Sequence, residues 1–600
     1  MLPPLPGLAE LHTNARRSLL AARNSQGHWE GELSSSALST ATALFTLSQS
    51  KQSRHAGLIH GGLRWLADTQ NADGGWGDTT KSLSNISTTA LCWAAFGVPE
   101  AKGFDDTVTK AETWLKTTAG TLEPRILAKT IVDRYGKDRT FSVPILTMLT
   151  LADRLGPFGW QYVLQLAFEL AALPYQWFQW LRMPVVSYAL PALIAIGHVR
   201  HHHCPTWNPL LRLIRRIVHA RTLRKLREIQ PTTGGYLEAT PLTSFVCMSL
   251  IASGQANGPV VAEGIRFLER SVRPDGSWPI DTNLSTWVTT LSVNALIQDP
   301  TIEFPELERL RIRQWILNQQ YREVHPYTHA APGGWAWTNL SGGVPDADDT
   351  AGALLALSKL GPVDEQTRQA ATAGVQWLAN LQNADGGIPT FCKGWTGLPF
   401  DRSSADLTAH TLLAWAAWHD HLDPALQSTV QVASRKGIDY LIRMQRPDGA
   451  WAPLWFGNQH STEVANLTYG TSRVLRLAKV GCRFAESWTI HMQKAITWTL
   501  DNQNPDGGWG GRAGTPSSIE ETSLTLEGLA CVTATKETEV AIRQGLTWLN
   551  KHTSEGTQFP PSPIGFYFAN LWYYETLYPL IYVNAATSSL AHAVDRTSVS

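Results

Sequence analysis

Along the chain, apolar stretches long enough for a helix alternate with polar turns, and period-two alternation is almost absent. Ser36–Leu47, Thr88–Phe96, Leu284–Ile297, Leu407–Trp418 and Ser523–Val532 are apolar on most sides, the pattern of helices buried in a core. Between them lie segments that end in a recurring turn. One copy carries Trp65, Gln70, Asp73, Gly74 and Trp76, and another Trp377, Gln382, Asp385, Gly386 and Ile388. Two more carry Tyr440, Gln445, Asp448, Gly449 and Trp451, and Trp498, Gln503, Asp506, Gly507 and Trp509. Weaker copies surround Phe267 to Trp278 and Trp548 to Gly556, with fragments at Gln26 to Trp29 and Trp315 to Trp335. Asp-Gly pairs turn the chain because Gly accepts positive φ and Asp bonds its own backbone. Two helices per repeat predict αα-hairpins stacked in a ring or solenoid, an all-α fold. In each copy Gln is expected to cap a neighbouring helix end while Trp packs against it.

Leu166–Arg227 breaks the repeat. Met183–Gly197 is apolar but twice interrupted by proline, and falls short of the roughly 20 residues of a membrane span. Trp177, Trp180 and Leu181 precede it; His201, His202, His203 and a basic amphipathic run from Leu211 to Arg227 follow. Aromatics, an apolar plug and clustered arginines suit a segment lying in one bilayer leaflet, and equally a buried helix with a solvated basic face. Three consecutive histidines cannot all face one ion, so a surface tract is expected there.

Composition bounds the alternatives. At 600 residues the chain is longer than one core usually organises. Lys+Arg and Asp+Glu both count 50, so no global field favours nucleic acid. Charged residues are 17% while Trp reaches 25, which means an unusually aromatic interior or exposed apolar surface. The six cysteines, at 92, 204, 247, 392, 482 and 531, form no CxxC pair and fit a reducing compartment. The first twenty residues contain no apolar signal-peptide core.

The chemistry concentrates at Asp346, Asp348, Asp349 and Thr350, which open the apolar segment Ala351–Leu360. Three carboxylates this close repel one another, so at least one should keep its proton to unusually high pH. That suits a metal site or an acid held ready to donate; plain capping of a helix start is the structural alternative. An EF-hand fails because Thr350 and Ala351 stand where a ligand and a glycine are needed. No second ligand set accompanies the cluster, as a diphosphate-ionising Mg²⁺ site would require.

The Gln…Gly-x-Trp repeats together with Asp346-Ala-Asp348-Asp349-Thr350 resemble the triterpene cyclase family, specifically its squalene–hopene cyclase branch, over nearly the whole chain. The resemblance implies two α/α barrels: residues 31–281, with a membrane-associating segment near 177–227, and a catalytic barrel at 282–600. The break falls near Ile280–Leu284, and the tail, residues 1–30, packs with the second barrel. It implies cyclisation of squalene to a hopene or hopanol by alkene protonation and a carbocation cascade, without cofactor or metal. Its implied partners are squalene or a similar polyprene and one leaflet at the cytoplasmic face of a membrane, with room for a homodimer.

Carried over residue by residue, Asp348 is the proton donor, and Asp346 and Asp349 support it. His410 is the donor's partner, and Asp406, one turn earlier on the same helix face, orients the imidazole. A protonated His410 would sharpen the acid. Trp287, Trp337, Tyr469, Phe566, Tyr574 and, more loosely, Trp455 are the aromatic faces that would stabilise cations. The chain departs from the family by having Trp335 and Trp337 where phenylalanines are usual, and by one extra residue before Tyr574. Ser34–Thr40, Asn85–Thr89 and Glu238 stand where other members hold the terminating water. A related cyclase of another polyprene, and a non-catalytic isoprenoid-binding barrel, are the competing functions; the latter would lack the acid set.

Overall fold

The computed structural model describes residues 2–136, 138–174, 177, 180, 190–297, 304–391, 401–566 and 570–595. Among them, helices dominate and the strands are pairings of two or three residues. Five helices, Ala37–Gln49, Ile86–Ala95, Ser142–Leu151, Leu190–His203 and Thr240–Leu250, each pack on the next, and the last returns to the first. Six more close a second ring: Ser285–Leu296, Ala347–Leu357, Ala405–Trp418, Leu467–Leu475, Ile519–Ala530 and Tyr578–Asp595. Outer helices such as Ala56–Asp68, Pro259–Ser271, Pro424–Met444 and Lys536–His552 lie against these rings by one apolar face. The result is two α/α barrels.

Inner helices are buried all round because one side meets an outer helix and the other the ring centre. Their polar positions are largely Ser and Thr, whose hydroxyls bond back along their own helix, as Thr46 does to the Thr42 carbonyl at 2.8 Å and Thr147 to Val143 at 2.8 Å.

The repeat turns work as hydrogen-bonded clasps. The indole N–H of Trp76 donates to the carbonyl of Leu66, that of Trp451 to Leu441 and that of Trp278 to Leu268, each at 2.8 Å. The Gln382 amide donates to Gly386 at 2.8 Å and to Ala433 at 2.9 Å, and Gln445 to Gly449 and His491 at 2.9 and 2.8 Å. The second acceptor in each pair is a carbonyl within the next outer helix rather than a free helix end, so the glutamine splices neighbouring hairpins instead of capping one. Gly386 has φ +90°, and a side chain there would strike the backbone of Lys436.

Buried apolar side chains form two main clusters. One runs from Ala37 to Trp278, with Tyr327 and Val344 added; the other joins Leu2–Leu33 to residues from Ile280 to Leu590. Ser35–Ser36 pairs antiparallel with Trp278–Pro279, so the chain leaves the first ring beside its point of entry. The Leu8–Ala21 helix packs on Tyr578–Asp595. Leu38 and Trp337 touch both clusters and mark the space between the barrels.

The apolar stretch before the triple histidine divides. Met183–Ala189 lies outside the described residues, whereas Leu190–Gly197 belongs to an inner helix with Leu190, Ile194, Ile196 and Val199 buried. That part of the expected leaflet segment is core. Exposed apolar surface lies beside it instead: Trp180 is 80% and Trp207 99% exposed, and Leu210, Leu213 and Ile217 line one side of Pro209–Glu228. Within the basic run, Arg215 is buried against Glu169 through bonds of 3.0 and 3.1 Å. His203 stacks on Trp160 with ring centroids 4.7 Å apart. Among the described residues no helix is long and apolar enough to cross a membrane.

Candidate active site

The acid cluster is built where Ala347–Leu357 begins. Asp346 is extended, with φ −137°, and its carboxylate accepts the Asp349 N–H at 2.9 Å as the N-cap. The helix start is tied to the preceding turn: Asp346 N–H donates to the Trp335 carbonyl at 2.9 Å, and Trp335 N–H to the Thr350 hydroxyl at 3.0 Å. Asp346 and Asp349 are therefore sealed under the helix, leaving Asp348 on the open side. Burial holds both Asp346 and Asp349 above the ordinary carboxylate range; the charge of Asp348 adds to each, and that of Asp346 adds to Asp349. One Asp349 oxygen has no hydrogen-bond partner.

Asp348 reaches across to the neighbouring inner helix, Ala405–Trp418. Its Oδ1 lies 2.6 Å from His410 Nδ1, and the two side chains keep 19% and 12% exposure. Gly352 lets this helix pack closely on Ser285–Leu296, because a Cβ there would sit 3.0 Å from Thr290 Oγ1. Burial pulls His410 below the usual imidazole range, helped by Arg473 and Arg476 and opposed by Asp348. Burial and the two arginines thus work against the protonated His410 expected from the resemblance, and the contact with Asp348 works for it.

Asp406 does not hold the imidazole. It accepts from the Ser404 hydroxyl and from Leu454 N–H at 3.2 Å, and its other oxygen has no partner. The i,i+4 spacing places it near His410, but the helix-start bonds at Ser404 and the incoming Leu454 loop claim its oxygen first. Burial raises it to about 6, with the charge of Asp348 adding to the push.

The aromatic candidates separate into three places. Trp287 stands beside the acid, its ring edge-on to His410 at 6.2 Å and its N–H donating to the Tyr578 hydroxyl at 3.0 Å. Trp337 and Trp455 lie in the space between the barrels, each edge-on to Phe391 at 6.2 and 6.0 Å. Tyr469 sits behind the acid, with the Arg473 guanidinium 5.0 Å above its ring. That face already carries a protein cation.

Tyr574 points away. Lys81 lies 5.1 Å over its ring and its N–H donates to Ser34 at 3.2 Å. Its neighbour Tyr573, at the end of the Leu571–Tyr573 strand, turns inward, with its hydroxyl 3.5 Å from that of Tyr578. In extended chain a one-residue slip exchanges faces, and the extra residue noted before Tyr574 is such a slip. The side chain of Phe566 lies outside the described residues.

Glu238 is fully buried and accepts from Gly342 N–H at 2.8 Å and the Thr233 hydroxyl at 2.7 Å, which commits it to holding a loop. Sequence reasoning also missed Arg473, Phe391, Tyr573 and Tyr578. An arginine in the otherwise uncharged Leu467–Leu475 helix was the available signal for the first.

Profiles of the squalene-hopene cyclase C-terminal and N-terminal domains match residues 284–584 and 13–203. Enfumafungin synthase of Hormonema carpetanum is 25% identical over 93% of this chain and 47% of its own length. Squalene hopane cyclase of Aspergillus fumigatus is 24% identical over 87% of this chain and 82% of its own. The chain spans about half the length of the first of these curated relatives. Among solved structures, ent-copalyl diphosphate synthase from Streptomyces platensis is similar with TM-score 0.54 at 17% identity, covering 98% of this chain and 100% of that one, a likeness of fold.

Proposed function

The chain belongs to the squalene-hopene cyclase family of class II terpene cyclases, and on that premise we propose that it protonates squalene at a terminal alkene and closes it to a pentacyclic triterpene of the hopene or hopanol type. The observation that carries this reading is the Asp348–His410 contact at 2.6 Å beside two sealed carboxyls. An alkene is a very weak base, so its acid must be dry, strong and regenerable, and water must be kept from the cations that follow. In the donor form the Asp348 O–H bond breaks and the alkene π pair makes the new C–H bond. Asp346 and Asp349 keep a proton close by. Trp287, Trp337 and Trp455 offer π faces to the migrating charge, worth about 2 kcal/mol each when desolvated.

Detergent-solubilised protein given squalene, with products identified by mass spectrometry, tests the reading. Recovery of unchanged squalene alongside turnover of a shorter linear polyprene would favour the second substrate class. The bulk of Trp337, Phe391 and Trp455 packed edge-to-face between the barrels supports that alternative. We also propose that the apolar and basic face around Trp180, Trp207 and Pro209–Glu228 rests on one leaflet at the cytoplasmic side of a membrane, so that substrate enters from lipid.

A further inference from the structure

Behind the acid lies a small enclosed space whose walls include Asp348, Asp406, His410, Tyr469, Arg473 and Arg476. Two of these are guanidinium ions in the interior of an all-α barrel, and neither follows from the acid motif. Arg473 lies on the Leu467–Leu475 helix, and Arg476 just past its end. Glu527, from the next inner helix, sits 3.8 Å from Arg473 and 3.3 Å from Arg476. Arg473 and Arg476 therefore share one ion-paired carboxylate, so Glu527 leaves one positive charge between them; Asp406 is the other carboxyl on this wall besides Asp348. Lys359 adjoins Arg476 and Glu527 and adds to that sign. The surplus points inward: the Arg473 guanidinium spans the rings of Tyr469 and Tyr582 at 5.0 and 5.5 Å, and its Nη2 is buried with no hydrogen-bond partner.

We infer that Arg473, seconded by Arg476, is the fixed cation that stabilises the carboxylate left on Asp348 by proton transfer, acting through its field on the Asp348–His410 pair without touching substrate. The inference rests on the proposed role of Asp348 as donor. When the Asp348 proton moves to the alkene, a carboxylate is left in a largely buried site beside the imidazole. A permanent positive charge nearby stabilises that carboxylate and costs no reorganisation at the moment of transfer. The proton lost from the last cation leaves to water, and water reloads Asp348 after turnover, so the proton count closes. Arg473 is a positioning residue in this scheme, because it acts on the acid pair without touching substrate. A guanidinium suits the task because it stays ionised when buried and stacks on aromatic rings.

His410 reports the field directly. It faces Asp406 on its own helix, Asp348 on Ala347–Leu357, and Tyr469, Arg473 and Arg476 on the Leu467–Leu475 side, with Glu527 and Lys359 behind the arginines. The experiment is NMR titration of His410 in the solubilised, ligand-free full chain, assigned with His410→Gln, together with the pH profile of polyprene turnover. Arg473→Gln should move the His410 midpoint up by about one pH unit and lower kcat by about tenfold, with KM unchanged. Arg473→Lys should restore both. Glu527→Gln, which removes the counter-charge, should move the midpoint down. A midpoint unmoved by Arg473→Gln would overturn the inference, as would an Arg473→Lys variant as slow as Arg473→Gln. The titration needs no substrate, so absence of polyprene turnover would overturn the proposed function while leaving the Arg473 result readable.

Discussion

At the scale of single residues, the site depends on which carboxyl is left uncovered. Asp346 and Asp349 are sealed by the helix start, and Asp348 alone meets His410. Asp348→Asn should abolish cyclisation, to below about one part in a hundred, while circular dichroism and melting temperature stay near wild type; turnover at the wild-type rate would sink the assignment. Excess EDTA should leave turnover unchanged. A buried acid outside the site, one of several raised carboxyls, ties stability to pH. Glu520 is raised to about 8 by burial and by the charge of Glu521, and one of its oxygens has no partner. Its folded value lies above its unfolded one, so its contribution is complete in acid and is lost as pH climbs towards 8. The melting temperature should therefore fall between about pH 5 and pH 8, and Glu520→Gln should remove part of that fall; a wild-type melting temperature rising over this range would contradict the account. The three aspartates were legible in the sequence because a short motif fixes their spacing, whereas His410 and Trp287, on other helices, were picked out only by the family resemblance. Asp406 was misassigned because i,i+4 spacing states proximity and cannot say which donor claims an oxygen first.

At the scale of elements, the hairpin repeat was legible almost throughout, since its turn residues recur at fixed offsets and each does a local job. The partner of each glutamine was not, because its second acceptor lies in the next outer helix, as far away as Ala433 is from Gln382. Tyr574 shows the same limit in extended chain: a pattern of aromatics cannot reveal a slip of one. Gly386→Ala should destabilise the protein by more than about 1 kcal/mol, because the residue must keep positive φ and its new carbon meets backbone. Urea unfolding checks this, and a change within error would show that the turn can relax.

At the scale of the whole molecule, the two rings are legible as an all-α repeat, and so was the basic amphipathic run, while the burial of Leu190–Gly197 in an inner helix was not, because its apolar residues suit a leaflet and a core equally. Replacing Trp207 and Ile217 by Ser should weaken sedimentation with phospholipid vesicles by about tenfold and leave the fold intact; unchanged co-sedimentation would remove this face from consideration. Ring closure sets an order on synthesis. The inner ring of the first barrel closes once Thr240–Leu250 has packed against Ala37–Gln49, before the acid helix is made. The second stays an open arc until Tyr578–Asp595 lands between Ile519–Ala530 and Ser285–Leu296. A chain folding in the order of its synthesis would thus hold a closed first ring beside an unsealed acid, and the ring around the acid closes only with Tyr578–Asp595.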